Sequence, residues 1–168
     1  MDFLRNIATD SPLPAGGAAS AYASCLAIGL LYKVILFEMR REGLDPVMEQ
    51  NIRTARKEVE RLLGDVERIV KKDPETYLKF KESRRDPEKR DIKQHFSHIL
   101  DVSMTVVEKS NAALEWANQL NLLVPDQMRT HLYVACELLL GAINGSIQIA
   151  KSNIRGHQGP CQKEKLFK

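Results

Sequence analysis

Apolar positions along the chain fall into long helical periods, and one stretch has no polar side at all. From Ala18 to Tyr32 the sequence reads Ala-Ala-Ser-Ala-Tyr-Ala-Ser-Cys-Leu-Ala-Ile-Gly-Leu-Leu-Tyr. A helix without a polar face must be surrounded by protein. It is predicted over about 18–41, with polar residues arriving late, at Lys33, Glu38, Arg40 and Arg41, and with Gly43 placed to end it. Ahead of it, residues 2–8 predict a short helix capped by Asp2, with Phe3, Leu4 and Ile7 on one side.

Asp45-Pro46 carries the start signal of a third helix, an aspartate cap followed by proline at the first helical position. Met48, Ile52, Ala55, Val59, Leu62, Val66 and Ile69 then alternate steps of four and three, a narrow seam suited to a near-parallel helix crossing. Arg53, Arg56, Lys57, Glu60, Arg61 and Glu67 fill the other faces, so this helix belongs on the outside of a bundle. Asp73-Pro74 repeats the start signal and predicts a shorter helix holding Tyr77, Leu78 and Phe80. Asp86-Pro87 repeats it again, opening a helix to about Asn118 with Ile92, Phe96, Ile99, Val106, Leu114 and Ala117 facing inward. Ser103 and Ser110 share that stripe, where they either bond back to their own helix or line a pocket.

Pro125-Asp126 precedes the last helix, predicted over about 127–153, with Leu132, Ala135, Leu139, Ala142, Ser146 and Ile149 among its inward residues. Gly141 and Gly145 make it thin enough for close approach by a neighbour or a ligand. Arg155-Gly156-His157-Gln158-Gly159-Pro160 breaks the pattern, predicting a single domain over 1–154 and a mobile tail over 155–168. No strand signal occurs. The fold class expected is all-α, an up-and-down helical bundle with a buried Ala-rich central helix and long antiparallel helices.

Composition narrows the function classes. A net charge of +3 on 168 residues is too small and dispersed for nucleic acid, and the densest basic run, residues 84–91, interleaves acids with bases. Cys25, Cys136 and Cys161 are far apart and odd in number, giving neither metal spacing nor a disulfide framework. Cys25 and Cys136 read as small core residues. The apolar run 26–37 is interrupted by Lys33 and reads as too short to span a bilayer. Met1-Asp2-Phe3-Leu4-Arg5 lacks the continuous apolar core of a signal peptide, so a cytoplasmic location is the expectation.

Chemistry concentrates at Asp10-Ser11-Pro12-Leu13-Pro14-Ala15-Gly16-Gly17-Ala18-Ala19-Ser20. Two prolines restrict the approach, two glycines follow, and the buried helix begins. Free N–H groups at such a start suit an anion or a polarised carbonyl. The same residues also serve a tight entry turn that lets helices pack closely, and spacing alone leaves both roles open. His95 and His98 share one side of a helix but lack the Glu-x-x-His partners of a bundle metal site, so surface histidines are expected and no metal. There is no nucleophile elbow, P-loop or dinucleotide fingerprint.

Phe3-Leu4 and the segment Pro12-Leu13-Pro14-Ala15-Gly16-Gly17-Ala18-Ala19-Ser20-Ala21 resemble the opening signature of the formiminotransferase-cyclodeaminase C-terminal domain, a family that includes stand-alone methenyltetrahydrofolate cyclohydrolases. Asp73-Pro74-Glu75-Thr76-Tyr77 resembles its Asp-x-x-x-(Phe/Tyr) segment, and Ala150-Lys151-Ser152-Asn153-Ile154 the end of its last core helix. The resemblance covers roughly residues 3–154. It departs at the loop, where the family's usual third glycine and its serine are replaced, the chain reading Ala15-Gly16-Gly17-Ala18-Ala19-Ser20. Thr130-His131 stands where the family has a Ser-Asp pair, and Ile149 where it tends to carry an asparagine.

The resemblance implies a cyclodeaminase that converts 5-formiminotetrahydrofolate to 5,10-methenyltetrahydrofolate plus ammonia, or alternatively a methenyltetrahydrofolate cyclohydrolase. A non-catalytic folate-binding relative or a helical interaction module is the competing class. The expected substrate is a tetrahydrofolate derivative, with no permanently bound cofactor. The expected partner is a second copy of the chain, a dimer, with neither nucleic acid nor membrane. Pro14, Gly16, Gly17, Ala18 and Ser20 are the expected substrate contacts. His131, Asp10 and Asp126 are the acid–base candidates, His131 because imidazole titrates near neutrality.

Overall fold

The computed structural model describes residues 2–11, 13–83 and 92–157, with the side chains of 2, 72–77, 80, 81, 83, 92–96, 156 and 157 outside that description. Within it the chain forms α1 (Asp2–Ile7), α2 (Gly16–Glu38), α3 (Pro46–Ser83), α4 (Ile92–Asn121) and α5 (Asp126–His157), and among the described residues there is no strand. Consecutive long helices pack side by side, and α2 also lies along α5, which closes an up-and-down four-helix bundle. The Phe3 ring stacks on Tyr22 at a centroid separation of 4.4 Å, so α1 sits against the second turn of α2.

The seam of α3 buries as its spacing requires. Ile52, Ala55, Val59, Leu62 and Val66 are all buried, and Met48 and Ile69 at its ends are half-covered. Asp45 caps the helix, its Oδ1 accepting from the Val47 and Met48 amides at 2.9 Å each. The outer face is laced by Arg53–Glu49 and Arg61–Glu58 pairs one turn apart, and Lys109 of α4 reaches Asp65 at 3.8 Å.

Three boundaries differ from expectation. The helix does not restart at Asp73-Pro74, because α3 runs through to Ser83. Proline has helical φ and deletes one amide donor, so an already established helix can continue past it at a local cost. Gly43 does not end α2 either. The helix stops at Glu38, the next amides bond back tightly from Arg40 to Phe37 and from Arg41 to Glu38, and Gly43 (φ +75°) makes the following turn. The Asp86-Pro87 start lies outside the described residues, as does the Asp2 side chain. At the other end α5 continues to His157, past the predicted limit near 153.

The core is apolar with a few polar exceptions. Ser24 of α2 and Ser110 of α4 are fully buried with their Oγ atoms 2.9 Å apart, so Ser110 neither bonds back to its own helix nor lines an open pocket. Glu38 is also wholly buried. Arg41 Nη1 lies 3.0 Å from its Oε2, yet it is not aligned to donate, and among the described residues neither carboxylate oxygen has a hydrogen-bond partner. Burial pushes the Glu38 carboxyl above its ordinary pKa, and the Arg41 charge opposes that.

A raised native pKa means the folded state holds the proton longer than the unfolded one, so stability falls as pH rises through the carboxylate range. Glu38→Gln is therefore expected to stabilise the protein at neutral pH. The gain should shrink towards zero near pH ~3, where the carboxyl is protonated in both states. Urea unfolding at the two pH values measures it, and a variant less stable at neutral pH would mean that the Arg41 attraction dominates.

Candidate functional site

The entry loop is held by its own side chains. Thr9 Oγ1 donates to the Asn6 carbonyl at 2.8 Å, and Ser11 Oγ donates to the Leu13 carbonyl at 2.7 Å. The Leu13–Pro14 peptide bond is cis. Ala15, in extended conformation, is the N-cap of α2 and offers no side-chain hydrogen bond. The first amide to find a helical acceptor is that of Ala19, bonded to the Ala15 carbonyl at 3.0 Å. The N–H groups of Gly16, Gly17 and Ala18 thus precede the first turn's acceptors, and among the described residues no side chain caps them.

The same turn is pressed against α5. A Cβ at position 16 would stand 2.9 Å from Ile149 Cδ1, and one at position 145 would stand 2.3 Å from Ser20 Oγ. Gly16 and Gly145 are therefore small because two helices touch there. Ser20 Oγ donates to the Gly16 carbonyl at 3.0 Å, so its proton is already engaged within the helix. Pro14 and Gly17 are half-buried, and Ala18 is buried.

The acid–base candidates do not gather at this loop within one copy. Asp10 is exposed and lies in the loop itself. His131 is half-buried on α5, fourteen residues below Gly145, or about 21 Å along the axis. Asp126 is lower still, 91% exposed and paired with Arg129 at 2.8 Å. His98 is exposed beside Asp65, Arg68 and Lys109, the His95 side chain lies outside the described residues, and among the described residues no three metal-ligating side chains cluster.

Below the loop, α2 forms the floor of an apolar trough of about 730 Å³ walled by α3 and α5. Tyr22, Leu26, Gly29 and Leu30 line it from α2, Glu67 and Lys71 stand on its α3 side, and Leu138 closes it from α5. Cys25 borders it rather than lying in the core, and burial together with the Glu67 carboxylate pushes its thiol pKa up to about 11. That thiol is unreactive at neutral pH. The trough is not legible beforehand, since a helix apolar all round gives no sign of which side stays uncovered.

Comparison with known proteins decides the family. The formiminotransferase-cyclodeaminase family model matches residues 1–166. The chain belongs to that family. Its fold is similar to that of the formiminotetrahydrofolate cyclodeaminase of Thermotoga maritima, with a TM-score of 0.85 and 16% identity over 97% of this chain and 81% of that one. Among curated proteins, none matches the sequence. This member of the cyclodeaminase family enters its alanine-rich helix through Gly16-Gly17, followed by Ala18-Ala19.

The contact between Ser20 and Gly145 gives a test of the loop's support. Gly145→Ala is expected to destabilise the fold by about 1–2 kcal/mol, because the overpacking exceeds the roughly 1 kcal/mol that alanine gains over glycine in a helix. Adding Ser20→Ala removes the clashing hydroxyl and leaves the two Cβ atoms at an ordinary 3.4 Å. The double variant should be more stable than Gly145→Ala alone, and thermal unfolding that finds it less stable would break the argument.

Proposed function

We propose that this protein is a folate-dependent enzyme of one-carbon metabolism, a formimidoyltetrahydrofolate cyclodeaminase located in the cytoplasm. The observation that carries this reading is the family match over nearly the whole chain, residues 1–166. In the reaction, N10 of 5-formiminotetrahydrofolate attacks the formimino carbon and forms the new C–N bond. The displaced electron pair goes to the imino nitrogen, which takes up protons and leaves as ammonia. The N10 proton and one proton from outside balance the product, the methenyl cation.

The protein's task is then to position the folate and to move protons. The amides of Gly16, Gly17 and Ala18 would take a carbonyl or carboxylate of the substrate, with Pro14 and Ser20 shaping the turn around it. Asp10 is the acid–base candidate in the same loop, and we assign it the proton transfer. His131 and Asp126, at the far end of α5, would need another copy of the chain to approach the same substrate. A second copy is the partner in this reading.

The altered loop Ala15-Gly16-Gly17-Ala18-Ala19-Ser20 and Thr130-His131 favour a second reading, a family member that binds folate without turning it over. Incubation with 5-formiminotetrahydrofolate and with methenyltetrahydrofolate, following methenyl absorbance and ammonia release, separates cyclodeaminase, cyclohydrolase and silent binder. Methenyl formation with stoichiometric ammonia is the expected result. Gly17→Val is expected to abolish folate binding with helicity unchanged, and binding that survives it would remove the loop from the site.

A further inference from the structure

The entry loop opens one end of the bundle, and a hollow of about 390 Å³ lies towards the other, between the first turns of α3 and the last turns of α4. It is more than about 20 Å from the loop along the bundle axis. α2 and α5 are each long and apolar enough, by length and composition, to cross a membrane, which corrects the expectation of too short a run. The hollow belongs to neither of them and is cut between the two amphipathic helices. Its volume falls at the low end of the roughly 300–1,000 Å³ usual for small-molecule sites, room for one bicyclic ring system.

The lining is apolar with two free amides. Ala55 is buried at the base, Trp116 is half-buried and turns ring surface to the space, and Leu122 stands at its edge 82% exposed. A flat ring stacks well on an indole in such a slot. Asn51 and Thr54 line it from successive turns of α3, and Gln119 follows Trp116 by one turn on α4. The Thr54 hydroxyl is committed to the Gln50 carbonyl at 3.0 Å. The exposed carboxamides of Asn51 and Gln119 are therefore the polar groups open to a ligand, each with one C=O acceptor and one NH2 donor. Among the described residues none that lines the hollow is charged.

We propose that this hollow binds a neutral, flat bicyclic lactam, its ring stacked on Trp116 and its N–H/C=O edge paired with the side-chain amides of Asn51 and Gln119. A carboxamide matches a lactam edge twice over, its carbonyl accepting the ring N–H and its NH2 donating to the ring carbonyl. A phosphate would find no cation here, and an alkyl chain would cover both amides without satisfying either. Oxopurines and pterins both carry the required edge. The site is separate from the Gly16-Gly17 turn and stands independently of the folate assignment.

Trp116 is the single tryptophan of the chain, so its fluorescence reads this hollow. The full chain is titrated with inosine and with biopterin, corrected for ligand absorbance. Saturable quenching by at least one is expected, inosine assigning an oxopurine and biopterin a pterin. Purine riboside, which has the rings of inosine without the lactam, should bind about tenfold more weakly or worse than inosine wherever inosine binds. Asn51→Leu and Gln119→Leu should each weaken binding about tenfold, with circular dichroism and thermal unfolding unchanged because both positions are exposed. Gly17→Val should leave the titration unaltered. Absence of saturable quenching by both ligands, purine riboside binding as well as inosine, leucine variants that bind like the wild type, or loss of quenching in Gly17→Val would each overturn the proposal. Methenyl formation read on the same samples keeps the two readings apart. Turnover without quenching would refute this site alone, and quenching without turnover would refute the proposed turnover alone.

Discussion

The close approach of α2 to α5 is the contact on which the rest of the structure depends. α2 is rich in alanine and has no polar face, so its free energy in the bundle comes from being covered on several sides at once. Small residues set how near the neighbours come. Gly145 admits Ser20 and Gly16 admits Ile149, where an added β-carbon would force the Ser20 hydroxyl or the Ile149 methyl to shift. The entry loop is fixed by that docking, because the residue that opens α2 is the residue Ile149 touches. The uncapped amides are thereby held at one place on the bundle's end by a contact that is itself apolar.

The other helices share the work unequally. α3 offers a single seam and exposes charge elsewhere, α4 spends two buried serines on the core, and α2 places a carboxylate where no donor is aligned to it. Ser24 and Ser110 satisfy each other and cross-link α2 to α4 through one hydrogen bond, which is how a buried hydroxyl pair avoids the desolvation cost. Glu38 has no such solution. It sits at the C-terminal end of α2, where the helix dipole already disfavours a negative charge, and only Arg41 opposes the penalty. The bundle is therefore best satisfied at its loop end and most frustrated at the end where α2 turns into α3.

Period and capping made much of this legible. The α3 seam follows from its four-and-three spacing, and the residues it names are the ones buried. Asp45 was readable as a cap because its chemistry is local. The same local rule failed at Asp73-Pro74, where a start signal inside a long helix was overridden by continuation on both sides. Contacts between helices were out of reach. Nothing in the chain states that Gly145 faces Ser20, so the glycines of α5 read only as thinness. The grouping of His131 with the loop had the same defect, because identity and type do not say at which end of a bundle a residue falls. The trough was hidden for the opposite reason: where every side is apolar, periodicity carries no information about the uncovered one.

Ala15 is the residue at which fold and proposed chemistry part company. Serine, aspartate or asparagine there would cap α2 and stabilise it by about 1 kcal/mol. Alanine forgoes that, and among the described residues no side chain answers the three amide donors. A fold selected for stability alone has no use for this, since α2 gains nothing from an open end. The neighbouring residues behave differently: Thr9 and Ser11 spend their hydroxyls on holding the loop, and Phe3 stacks on Tyr22 to pin α1 beside it. Rigid surroundings around unsatisfied donors are the arrangement expected where an outside acceptor completes the cap. The folate reading requires such an acceptor at this turn, and the absence of a capping side chain is what leaves room for it.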